Sequence, residues 1–109
     1  MPYYQYLRMV SETERKRTAA GLLRLKTALA NSVPNKTISS NLLIATWNIR
    51  EFDSKSYGRR SEEAIYYIAE IIDHFDLVAI QEINENLEGV YRVRQILGSQ
   101  WRIIYTDTT

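Results

Sequence analysis

The chain has no cysteine. This one absence excludes disulfide frameworks, thiolate zinc sites and cysteine nucleophiles, and it is compatible with a reducing compartment. No run approaches the roughly 18 apolar residues of a membrane span, and the opening "MPYYQYLRMVSETERKR" lacks the apolar stretch of a secretory signal. A soluble, cytoplasmic protein is expected. Glycine is scarce, at four residues, and the strand ends carry no G-x-G-x-x-G or G-K-[ST], so no glycine-rich phosphate loop is present. Histidine occurs once, at His74.

What is present suits one small domain. With 45% hydrophobic and 25% charged residues the composition is that of an ordinary globular chain, and 109 residues are too few for two domains. Net charge is only +1 but unevenly spread. Residues 1–41 carry seven Lys/Arg against two Glu, and residues 42–109 carry seven against eleven Asp/Glu, so a basic arm precedes an acidic body. Such an arm is either a solvated helix face or a surface for nucleic acid or an acidic partner.

The first ten residues show no clear period. "SETE" then offers a capping box, with Ser11 as N-cap and Glu14 three residues on. Helical spacing follows to about Asn31, with Leu22, Leu25 and Leu29 on one stripe and Arg15, Lys16, Arg17, Arg24 and Lys26 elsewhere. Pro34 stops it. The connector "NSVPNKTISSN" ends at Asn41, which divides the chain into an N-terminal basic helical extension with its connector, 1–41, and an α/β unit, 42–109.

Beyond the connector the order reads strand, helix, strand, helix, strand. Leu42 to Ile49 is a near-continuous apolar run of the kind buried on both faces. Ser61 can cap a helix whose first turn holds Glu62 and Glu63, and Ile65, Ile68, Ile72 and Phe75 give that helix a face for a sheet. "DLVAIQEI", residues 76 to 83, is a second buried strand. Leu87 to Leu97 forms a helix closed by Gly98, and "QWRIIYT", residues 100 to 106, alternates as a third strand. The first two strands should be parallel, joined by a right-handed crossover.

Asn48 and Glu82 each stand one residue before the carboxyl end of their strand, the edge where open α/β sheets bind ligands. Asparagine is a poor strand residue, so its place there calls for a reason. By alternation Ile44, Thr46 and Asn48 share one face, and Val78, Ile80 and Glu82 share one face of the next strand, which would let amide and carboxylate meet. A lone carboxylate beside an amide suits magnesium, which leaves its remaining positions to water and substrate phosphate. On spacing alone a second reading stays open, in which Glu82 is a polar strand end facing solvent.

"IATWNIREF", followed about thirty residues later by "DLVAIQEI", resembles the opening of the endonuclease/exonuclease/phosphatase superfamily. That family closes its first strand on N-[IVL]-[RN] and its second on Q-E, matched here by Asn48-Ile49-Arg50 and Gln81-Glu82. The resemblance implies the N-terminal part of a deoxyribonuclease-I-like α/β sandwich, here preceded by a basic helix. It implies a metal-dependent phosphodiesterase, with nucleic acid as the first substrate class. Magnesium, or manganese in its place, would be held by Glu82, and Asn48 would belong to the network that orients catalytic groups and scissile phosphate. Gln81 and Arg50 are the accompanying substrate-binding candidates. Arg59 and Arg60, in the loop "REFDSKSYGRR", are either further phosphate contacts or part of a solvated connection.

The same resemblance sets a limit. The family draws its general base from a histidine near its C-terminus, paired with an aspartate, in segments with no counterpart in these residues, so the chain alone is expected to be inactive. His74 does not substitute: it precedes the second strand and Glu82 ends it, roughly 26 Å apart at about 3.3 Å per residue. A helix C-terminal role is expected for His74, and core packing for Trp47 and Trp101. The alternative to the hydrolase is a small α/β binding module whose basic helix contacts nucleic acid or an acidic partner.

Overall fold

Ser11 starts the longest element. Its Oγ accepts from the amide of Glu14 at 3.2 Å, as the capping box requires, and helix α1 runs Glu12–Ser32. Val33 leaves the helix with its N–H on the Leu29 carbonyl, and Pro34 prevents another turn. A 3-10 turn, Gln5–Met9, precedes α1. Strand β1 (Ile44–Phe52), helix α2 (Glu62–Asp73), strand β2 (Leu77–Ile83) and helix α3 (Glu88–Leu97) follow. This computed structural model describes residues 2–37, 41–52, 62–83 and 88–104, without the side chains of Tyr6, Met9, residues 49–52, Glu82 and Ile83. The expected caps and loops at Ser61, Arg59, Arg60 and Leu87 lie outside the described residues.

β1 and β2 are parallel, as expected for strands joined through a crossover helix. Asp76 sets their register. Its Oδ2 accepts from the Leu43 amide at 2.8 Å while its own amide donates to the Leu43 carbonyl at 2.8 Å. Ile44 therefore faces Leu77, and the ladder stays in step as far as Asn48 opposite Gln81 before shifting ahead of Phe52 and Ile83. The result is a small mixed domain, with three helices and a two-stranded parallel sheet among the described residues.

One face of the sheet is covered. Ile65, Ile68, Ala69 and Ile72 of α2 are buried, and Trp47, Val78 and Ile80 pack against the same cluster. The other face is open: Ile44 is 56% and Leu77 54% exposed, and Thr46, Asn48, Ala79 and Gln81 are exposed beside them. The expectation of strands buried on both faces is thus corrected. The helices gather on one core, and no described element crosses to the other side of the sheet.

The basic helix joins that core. Leu7 and Leu22 belong to one cluster with Ile65, Tyr66, Val93 and Ile96, so a single core spans the boundary placed at residue 41. α1 runs alongside α2 in the same direction: Arg17 meets Glu63, Gly21 meets Tyr67, and Ala30 and Val33 share a cleft with Asp73 and His74. Gly21 suits this approach, because a Cβ there would lie 2.6 Å from Cζ of Tyr67 and would push that ring end aside. The tyrosine-rich start is also tied down. Tyr3 donates its amide to the Ile96 carbonyl, and the Tyr4 ring lies near Tyr66 with Lys26 Nζ 4.7 Å from its centroid.

Gly98 ends α3 at φ 106°, the left-handed residue expected after a helix. The third strand is not formed at residues 101–104, which have no regular structure, and its remainder lies outside the described residues. Trp101 instead folds back: its amide donates to the Gly98 carbonyl, its own carbonyl accepts from Arg94 Nε at 3.1 Å, and Lys36 Nζ stands 5.2 Å from its ring centroid. These bonds satisfy the backbone that a ladder would otherwise have claimed.

Candidate functional site

The sequence motifs lie where the in-step ladder ends: Glu82 stands one residue before the end of β2, as expected, whereas β1 runs on to Phe52, so Asn48 is mid-strand and its expected place one residue before the strand end is corrected. Asn48 and Gln81 are both exposed and stand opposite one another across the ladder. Glu82 follows Gln81 in β2, and Arg50 follows Asn48 by two positions in β1, where the ladder loses its step. The side chains of Glu82 and Arg50 lie outside the described residues.

The register changes one expectation. Parallel strands in step place paired residues on the same side, so Asn48 shares its face with Gln81, Thr46 and Ala79. Val78 and Ile80, the row of β2 to which Glu82 belongs by alternation, lie with Ala45 and Trp47 on the helix side, which corrects the expectation that Asn48 and Glu82 share one face and meet there. The error came from the offset between strands. Alternation fixes the parity within each strand but not the step between them, and one residue of slip exchanges the faces.

α2 leaves β1 at its carboxyl end and returns to the start of β2, so its N-terminal end lies on the same side of the domain as Asn48 and Gln81. That end is braced by charge. Arg92 of α3 pairs with Glu62, and Arg17 Nε donates to Glu63 Oε1 at 2.6 Å. Tyr67 adds a hydroxyl to Glu63 Oε2 at 2.7 Å. The Tyr67 hydrogen bond, followed by that from Arg17, holds the Glu63 carboxyl below its ordinary range. Burial, then the hydrogen bond to Glu63, raises the Tyr67 phenol. These arginines hold the helices together.

The most buried charged group was missed by sequence reasoning. Glu70 is 3% exposed. Its Oε1 accepts from the Tyr4 hydroxyl and its Oε2 from His74 Nε2 at 3.0 Å. The Glu70 to His74 spacing of four on one helix was visible in the sequence, but Tyr4 is 66 positions away and carried no such signal. His74 lies just past the end of α2, as expected, and its Nε2 is occupied by Glu70. A cleft of about 220 Å³ lined by Val33, Lys36, Asp73 and His74 sits at that opposite end of α2, away from Asn48.

Among the described residues no three His, Asp or Glu side chains gather as a metal cluster. Magnesium does not demand one, since a single carboxylate with water and substrate oxygens suffices. The exposed amides of Asn48 and Gln81 offer oxygen acceptors of the right chemistry on the face opposite to Val78 and Ile80. Among the described residues no helix is long and apolar enough to cross a membrane. Compared with models of known protein families, with curated proteins and with solved structures, the chain matches none.

Proposed function

We propose that this chain is the N-terminal portion of a magnesium-dependent phosphodiesterase of the endonuclease/exonuclease/phosphatase type, a cytoplasmic hydrolase acting on nucleic acid. One observation carries the reading: the two motif-bearing segments are adjacent parallel strands, and Asn48 and Gln81 pair in register where the in-step ladder ends. In this reading Glu82 ligates Mg2+, with Mn2+ as a substitute, and Asn48 orients the phosphate. Gln81 and Arg50 contact substrate. The metal would polarise a phosphoryl oxygen and stabilise the leaving oxygen.

One further feature agrees with it. The open sheet face is what one half of a two-layered sandwich would present to the other. The binding-module alternative draws less support, because Lys16 is paired with Glu12 and Arg17 with Glu63. Hydrolysis is not expected of the 109-residue chain by itself, so metal binding is the useful readout. Mn2+ titrated into the chain and followed by water-proton relaxation should show one site that Glu82→Gln weakens at least tenfold. Equal Mn2+ binding by both proteins would sink the proposal.

A further inference from the structure

The acidic balance of the body of the chain breaks at α3. Residues 42–88 carry ten Asp/Glu against four Lys/Arg, whereas residues 89–104 carry Arg92, Arg94 and Arg102 and no acid. Arg92 is paired with Glu62. Arg94 and Arg102 are exposed.

The fold brings more to the same place. Lys36, from the connector after α1, stands over the Trp101 ring, and the Trp101 carbonyl accepts from Arg94 Nε. That bond uses one of the five N–H donors of the guanidinium fork. Tyr3, 47% exposed, has its ring beside Gly98, where an added Cβ would come within 2.9 Å of Cε2. Tyr91, 53% exposed, precedes Arg94 by three positions and so shares its face of α3. Three separate segments thus set Lys36, Arg94 and Arg102 near two open aromatic rings. A helix end ordinarily repels anions, but the carbonyls of Arg94 and Ile96 already accept from the amides of Gly98 and Tyr3. Two acids border the patch, Glu88 in the first turn of α3 and Asp73, which lines a cleft with Lys36, and each has a partner of its own.

We infer that the outer face of α3 and its C-terminal end bind single-stranded nucleic acid, with Arg94, Arg102 and Lys36 on phosphates and Tyr91 and Tyr3 stacking on bases. Cations alone would suit any acidic partner. Exposed rings beside them favour a ligand that presents a flat π face along with each negative charge, which a lipid surface does not offer. A duplex keeps those faces inside its stack, so a single strand is the better fit. From Tyr91 to Gly98 is about 10 Å at about 1.5 Å per residue, enough for a few nucleotides. The inference does not rest on the hydrolase reading, since none of these residues belongs to the sheet.

Fluorescence anisotropy of a labelled thymidine strand of about 20 nucleotides, titrated with the 109-residue chain at about 50 mM salt, tests it. EDTA is present, so that a metal at Glu82 contributes nothing and failure of the metal-site reading leaves this result untouched. Micromolar binding is expected, falling with salt at a log–log slope of about −2, from about −0.7 for each of three phosphates. Arg94→Glu combined with Arg102→Glu should weaken it at least tenfold, and Tyr3→Ala combined with Tyr91→Ala at least fivefold. Arg24→Glu, at an exposed position of α1, should change it less than twofold. Absence of binding at this salt would overturn the inference. So would binding indifferent to loss of both tyrosines, binding that Arg24→Glu removes, or capture of the chain by phosphatidylserine vesicles and not by the strand. If the Arg94→Glu variant fails to fold, Arg102→Glu with Tyr91→Ala, both at exposed positions, takes its place with at least a fivefold loss expected.

Discussion

The two faces of the sheet are made by the same two strands and have had different fates. On the helix side Trp47, Val78 and Ile80 close onto Ile65, Ile68 and Ile72, and Ile65 is fully buried. On the other side Ile44 and Leu77, equally apolar, remain more than half exposed. Both rows carry large aliphatic residues, although only the open one also holds Thr46, Asn48 and Gln81, and position relative to the helices decides which aliphatics are covered. A continuous apolar strand is therefore a statement about what its faces need, and only the packing of the other elements says which need is met.

The widest gap between the faces should appear in stability. Ile65→Ala removes buried methylenes and leaves a cavity, a loss of about 2–5 kcal/mol. For a domain of this size each kcal/mol moves the thermal midpoint by about 4–8 °C. Ile44→Ala removes the same atoms from an exposed site, where a change within about 0.5 kcal/mol is expected. Thermal denaturation of the two variants at low protein concentration decides the matter. Similar losses from both would mean that the open face is covered even in the monomer, and the comparison would fail.

Next comes the seam between α1 and α2. Gly21→Ala gains up to about 1 kcal/mol of helix propensity. It also drives a methyl group into the Tyr67 ring, and overpacking costs about 1–3 kcal/mol, so net destabilisation is expected. Shortening the obstacle should reverse the sign: in a Tyr67→Leu background Gly21→Ala should stabilise. If Gly21→Ala stabilises the unmodified chain, the two helices are not seated as closely as Tyr67 implies. A related test sharpens the covered side. Glu70→Gln should lose about 1–3 kcal/mol, because a buried acceptor would be replaced by an amide between Tyr4 and His74. A double-mutant cycle with Tyr4→Phe should then show coupling. Additive losses would mean that the Tyr4 hydroxyl contributes nothing through Glu70.

These sites show what the sequence made legible. The Ser11 cap, the Ile65, Ile68 and Ile72 stripe and the glycine that ends α3 were readable because each rests on neighbours within four residues. Parallel pairing followed from the crossover, and the place of Glu82 one residue before the end of β2 followed from its apolar run, but β1 runs four residues past Asn48 because the apolar pattern does not mark where that strand stops. The partner of Asn48 did not, because one residue of offset between strands inverts the faces, and that offset rests on long-range bonds such as those of Asp76 and Leu77 to Leu43. The third strand was over-read: Trp101 and Ile103 alternate correctly, but the carbonyl of Trp101 found Arg94 instead of a neighbouring strand. The Tyr4 to Glu70 bond, like the notch at Gly21, joins residues too distant for any local pattern to reveal.

The smallest expected effect is one of pH, and it too divides the faces. Glu63 has its carboxyl lowered by hydrogen bonds from Tyr67 and Arg17, so the fold prefers the ionised form. Its contribution is fully present above the unfolded value, about 4.3, and is lost as pH falls through the lower folded value. Tyr67 has the opposite sense: burial raises its phenol, so the contribution of the neutral form holds below about pH 10 and fades as pH rises through the folded value. Denaturant unfolding at a series of pH values should therefore show Glu63→Gln less stable than the parent near neutrality, with the difference shrinking on acidification. Leu77→Ala, on a face where Ile44, Thr46, Asn48, Ala79 and Gln81 carry no titrating group, should run parallel to the parent across the same range. A Glu63→Gln curve that also ran parallel would show that the bonds to Tyr67 and Arg17 do not favour the ionised carboxylate, and that the covered side owes its advantage to apolar packing alone.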